Sequence, residues 1–85
     1  MKIVPSVKFI DDLDKLIKKN ARMQNRVEKC LCLFSTNMHH PSLRFHKLAG
    51  LDKYSISIDM KIRMLFCFKD EDIHLLRIGT HDDVY

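Results

Sequence analysis

The sequence predicts a small α+β domain in the order β-α-α-β-β-β, with a helical hairpin packed on one face of an antiparallel sheet. Three observations carry this expectation. The first half of the chain repeats apolar residues at helical spacing in two blocks, and the second half alternates apolar and polar residues as strands do. A length of 85 residues, 46% hydrophobic and 31% charged, suits one globular domain. Residues 1–85 are therefore read as a single domain, and two glycines and two prolines leave no linker or disordered tail to assign. A chain this short buries only about 60–65% of the surface its unfolded form exposes, so the core is expected to be thin.

The opening "KIVPSV" is a short β-prone run stopped by Pro5, and Ser6 is suited to cap the helix that follows. Phe9, Leu13, Leu16 and Ile17 then form one helical stripe. Asp11, Asp12 and Asp14 lie in its first half and Lys15, Lys18 and Lys19 toward its end, the order the helix dipole favours. After a break at Asn20, the residues Met23, Val27, Cys30, Leu31, Phe34 and Met38 repeat at helical spacing, with Arg22, Arg26 and Lys29 mainly outside the stripe. So short a connection makes the two helices an antiparallel hairpin.

"NMHHPSLRFHKLAGLDK" has turn chemistry at Pro41 and Gly50 and reads as a loop leading into the sheet. In "YSISIDM", Tyr54, Ile56, Ile58 and Met60 are expected to face the core, and Ser55, Ser57 and Asp59 solvent or a site. "KIRMLFCFK" is apolar on both faces except at Arg63, as a central strand is. "DED" at 70–72 is a polar turn, and "IHLLRIGT" is the last strand, paired with its predecessor.

Fifteen Lys and Arg against eleven Asp and Glu give a net charge of +4, which favours an anionic partner. Cys30, Cys32 and Cys67 are an odd number of cysteines in stretches that read as buried, so they are expected to be core hydrophobes of a reducing compartment, with no disulfide. "MKIVPSVKF" is too short an apolar run for a signal peptide, and nothing approaches the ~18–20 apolar residues of a membrane span. A cytoplasmic protein with no membrane partner is expected.

Arg63 needs an explanation on an otherwise apolar strand. Either Asp59 across the hairpin pairs with it, or it is an anion clamp, since a guanidinium meets phosphate oxygens bidentately. His81 follows Gly79 and Thr80 as the last strand runs out, and one helical turn would bring Tyr85 to its side. His46 sits between Arg44 and Lys47 in "LRFHKLAG", and Arg77 adds a cation on the last strand. Together, His46, Arg63, His81 and Tyr85 supply titratable groups near neutral pH, a fixed cation and a stacking surface. Those are the needs of a metal-independent ribonuclease, with Arg44, Lys47 and Arg77 as substrate contacts. His39, His40 and His46 lack the spacing of a metal site, and no phosphate-cradling glycine loop or nucleophile elbow occurs, so no metal and no cofactor is expected.

The element order, with "HKLAGLDKYSISID", "IRMLFCF" and "LLRIGTHDDVY", resembles the RelE/ParE superfamily of bacterial toxins, most closely the YafQ, RelE and YoeB-like mRNA interferases. The resemblance implies a RelE-like fold and places His46 at the histidine of the YafQ D-H-P-L run. It places Arg63 at the strand arginine that holds the scissile phosphate, His81 at the histidine of the G-T-H motif and Tyr85 at the C-terminal aromatic. The two strand lysines of RelE correspond to Ser55 and Ser57, so lysine-based chemistry does not carry over; Asp59 and Lys47 stand in reserve.

What the resemblance implies is the toxin of a type II toxin-antitoxin system, a ribosome-dependent endoribonuclease that cuts mRNA by 2′-hydroxyl attack. A cognate antitoxin would neutralise it in a hetero-oligomeric complex, and the basic helices would contact ribosomal RNA. The alternative is a ParE-like toxin that inhibits DNA gyrase by binding alone.

Overall fold

The structure, a computed structural model, describes residues 2–84. The chain runs β1 (Ile3–Pro5), α1 (Val7–Lys19), α2 (Arg22–Thr36), a 3-10 turn (Pro41–Leu43), β2 (His46–Lys47), β3 (Tyr54–Ser57), β4 (Ile62–Lys69), β5 (Asp72–Thr80) and α3 (His81–Val84). The strands form one sheet in the order β1-β5-β4-β3-β2. The expected α+β architecture is present, with two additions. β2 lies inside the segment read as a loop, because two residues are too few to show alternation; it exists by pairing with β3. α3 follows the last strand. The sheet is also not wholly antiparallel, since β1 lies parallel to β5, Ile3 opposite Ile73.

Local chemistry accounts for the helix ends. The Ser6 hydroxyl accepts the Phe9 N–H at 3.0 Å and caps α1. Asn20 closes α1, and its side-chain oxygen accepts the Arg22 N–H at 3.1 Å, so one residue ends a helix and starts the next. Phe9, Met23, Val27 and Phe34 turn inward and bury against Ile56, Met64, Phe66, Leu75 and Ile78 of the sheet. Phe34 meets Phe66 edge-on, with ring centroids 4.9 Å apart.

Register sorts the sheet into two faces. Ile56, Met64 and Ile78 lie opposite one another, as do Tyr54 and Phe66, and these rows face the helices. The other face carries the row His46, Ser55, Leu65, Arg77 and, two residues on, the row Ser57, Arg63, Gly79.

Four expectations are corrected here. Met60 does not join the core and is 98% exposed. The alternation stops because the Asp59 carboxylate accepts the N–H groups of Lys61 and Ile62, each at 2.8 Å, and turns the chain. Ser55 is fully buried and not solvent-facing; Ser57 is buried too, on the face expected to carry solvent or a site. Cys32 is exposed, and Cys30 and Cys67 are only partly buried; all three are free thiols. Asp12 is a buried group, 8% exposed, and not a surface carboxylate serving the helix dipole.

The reason for burying Asp12 is the open edge of β5. β1 covers only Ile73 to Leu75. Beyond it, Asp12 accepts the Ile78 N–H at 3.2 Å and Asp83 accepts the Thr80 N–H at 3.4 Å. Two carboxylates thus occupy the edge donors that another strand would use. Among the described residues no helix is long and apolar enough to cross a membrane.

Candidate functional site

The face of the sheet away from the helices gathers most of the polar chemistry. Arg63, half-buried on β4, donates from Nη1 to the Ser57 hydroxyl at 2.9 Å. The expected partner, Asp59, is taken instead by Arg26 of α2 at 3.1 Å. Burial by itself lifts the Asp59 carboxyl, but the N–H groups of Ile62 and Lys61 and the Arg26 charge outweigh it and hold the group below the ordinary carboxylate range. Among the described residues no carboxylate pairs with Arg63. The partner that holds its guanidinium is a neutral hydroxyl.

His46 lies at the outer edge of the same face, on β2. Its Nδ1 is 3.3 Å from the Arg44 carbonyl oxygen. A carbonyl oxygen only accepts, so Nδ1 is the donor of this contact and Nε2 is left outside it. Arg44 adopts a left-handed conformation, φ 48° and ψ 48°, and this turns the chain back into β2. His46 and Arg63 are two strands and two residues apart, about 12 Å between Cα atoms by sheet geometry, a span that the two side chains can bridge through a shared phosphate.

His81 begins α3, two residues after Gly79, the strand partner of Arg63. Its Nδ1 lies 3.8 Å from an Asp82 carboxylate oxygen. α3 starts with a reciprocal cap: the Asp83 N–H donates to the Thr80 hydroxyl at 3.3 Å while the Asp83 carboxylate accepts from the Thr80 N–H. Gly79 permits the turn to fold back, since a Cβ there would sit 3.1 Å from Asp83 Cβ and 3.4 Å from a Val84 methyl. Tyr85 lies outside the described residues.

Two predicted substrate contacts meet carboxylates. Lys47 alternates away from His46, sits opposite Tyr54, and approaches Asp52 at 3.9 Å. Arg77 gives Nε and Nη2 to Asp12, at 2.6 and 3.3 Å. Burial raises the Asp12 carboxyl, but the Arg77 and Ile78 donors more than reverse this and lower it; Asp12 in turn raises Arg77. This pair floors a cleft of about 250 Å³ whose walls include Lys8, Lys15 and Lys19.

The residues not singled out in advance are Ser57, as the holder of Arg63, and Asp12. The "THDD" run did carry a signal, a Thr followed three residues later by Asp, the spacing of a capping box. Among the described residues the fully buried Ser55 hydroxyl has no hydrogen-bond partner, between His46 and Leu65 in its row. Among the described residues no three His, Cys, Asp or Glu side chains gather as a metal site.

No family model matches the chain, and no curated protein matches it. Solved structures do. A copper-bound mutant toxin from Helicobacter pylori is 25% identical over 100% of this chain and 99% of its own, with a TM-score of 0.80. The Escherichia coli DinJ-YafQ complex matches with 19% identity over 99% of this chain and 97% of that one, TM-score 0.79. The YoeB dimer from Staphylococcus aureus matches with 19% identity over 95% and 97%, TM-score 0.78. These are likenesses of fold across nearly the whole of each chain: the protein has the fold of the RelE/ParE-like toxins.

Proposed function

We propose that this chain is the toxin of a type II toxin-antitoxin system and acts as a metal-independent mRNA interferase. The observation that carries the reading is Arg63: a guanidinium held by Ser57, with no carboxylate partner among the described residues, on the sheet face that also bears His46 with Nε2 available. In this reading His46 takes the proton from a ribose 2′-hydroxyl. The 2′-oxygen attacks the adjacent phosphorus, Arg63 neutralises charge on the phosphorane, and His81 protonates the departing 5′-oxygen. Tyr85 stacks on or orients the RNA, and Arg44 is the substrate contact best placed for the site. A cognate antitoxin is supported by the DinJ-YafQ toxin-antitoxin complex among the structures of like fold.

The test is a translation reaction programmed with one defined mRNA, new 5′ ends being mapped by primer extension, and repeated with Arg63→Ala and with free RNA. Codon-phased cuts that need both ribosomes and Arg63 are expected. Intact mRNA from an active preparation would sink the reading and turn attention to gyrase inhibition by binding.

A further inference from the structure

Next to Arg63 lies a groove of about 450 Å³ lined by Pro41, Ser42, Arg44, Ser57, Asp59 and Met60. One wall is the 3-10 turn, the other the tip of the β3–β4 hairpin. Ser57, which holds Arg63, is part of the lining, so the groove continues the candidate site. The turn wall is braced: His40 Nδ1 accepts the Ser42 N–H at 3.2 Å and lies 2.9 Å from the Ser42 hydroxyl.

The chemistry of the two rims differs. On the turn side stands exposed Arg44, kept in a left-handed conformation that a residue with a Cβ disfavours and glycine adopts freely. Opposite is Met60, 98% exposed, an apolar side chain with no place in the core. The negative charge of Asp59 in the lining is offset by Arg26, and its carboxylate also accepts the Lys61 and Ile62 N–H groups. A cation on one rim and a polarizable thioether on the other, with serine hydroxyls in the lining, suit a nucleotide: phosphate on one side and base on the other.

We infer that this groove binds the nucleotide flanking the scissile phosphate, with Arg44 on its phosphate and Met60 against its base. The inference rests on the ribonuclease reading of the neighbouring site. It makes Met60 a residue that tunes which sequence is cut, and it explains why a strained position carries arginine.

The test uses an uncleavable 2′-O-methyl hexanucleotide and the full chain with its methionine methyls labelled for NMR. The Met60 methyl resonance is expected to move on titration. Arg44→Gly, which suits the backbone and leaves the fold intact by circular dichroism, is expected to weaken binding about tenfold, and Arg44→Lys to restore part of it. In cleavage assays Met60→Ala is expected to raise KM or shift the base preference with kcat little changed. An unmoved Met60 methyl at millimolar oligonucleotide overturns the inference. So does mRNA cleavage by wild type that is unaltered in Met60→Ala and Arg44→Gly, and that result leaves the proposed activity standing. A Met60 shift with no cleavage of any mRNA does the reverse: it supports the groove and removes the activity.

Discussion

Nδ1 of His46 faces the Arg44 carbonyl oxygen, so the neighbouring backbone orients the ring before any substrate arrives. In the proposed scheme one histidine works as a base and the other as an acid, so the two would govern opposite limbs of a pH-rate profile. His46→Ala is expected to flatten the acidic limb and His81→Ala the alkaline limb, each with a loss of about 10²–10⁴ in rate. Two unchanged profiles would remove the scheme. Asp12 makes a stability prediction. Its donors hold the folded carboxyl below its unfolded value of about 4, so it contributes fully above that pH and is lost as pH falls through the lower folded value. Asp12→Asn is expected to cost about 2–4 kcal/mol at neutral pH, a range between exposed and buried ion pairs, with a smaller deficit at pH about 3. Urea melts at the two pH values check it; an equal deficit at both would mean that the carboxylate's charge is not what matters.

Two turns in the second half of the chain work against and for their residues. Asp70 and Glu71 join β4 to β5 with φ of 53° and 67°, a two-residue connection of the kind that favours Asp-Gly. Glutamate is strained there, so Glu71→Gly is expected to raise stability by about 0.5–1 kcal/mol, read as a higher thermal midpoint with cleavage unchanged. At the other end of β5, Gly79 has no such freedom to give up. The nearest atoms to an added Cβ belong to Asp83 and Val84, so Gly79→Ala is expected to shift α3 by a few tenths of an ångström. Activity should fall more than stability, because α3 carries His81; a fully active Gly79→Ala would show that its placement is not needed.

Across the whole molecule, Lys8, Lys15 and Lys19 of α1 and Arg77 of β5 line a basic cleft that reaches Gly79 and Asp83 at the end of β5. If about four phosphates are neutralised on binding ribosomal RNA, affinity should drop about 100-fold between about 50 and 200 mM salt. Sedimentation with ribosomes over that range checks it, and a flat dependence would assign these lysines to solvation alone. The same scale explains what was readable in advance. The helical stripes, the Ser6 cap and the Asn20 break are properties of neighbours in the chain and reappear in the structure, though α2 stops at Thr36, short of Met38, and the strands alternate in facing but not in burial. The types of residue at the site were readable for the same reason: an arginine on an apolar strand and histidines flanking the sheet are visible without knowing what they touch. Their company was not. Arg63 turns to Ser57 on a neighbouring strand, Asp59 to Arg26 at a separation of 33 residues, and Arg77 to Asp12 at 65. β2 exists only because β3 offers it an edge, and Asp12 is buried only because β1 stops short of Ile78. Hydrogen bonds and ion pairs act over a few ångströms, so which of several suitable partners a charge finds is decided when distant strands and helices register against one another.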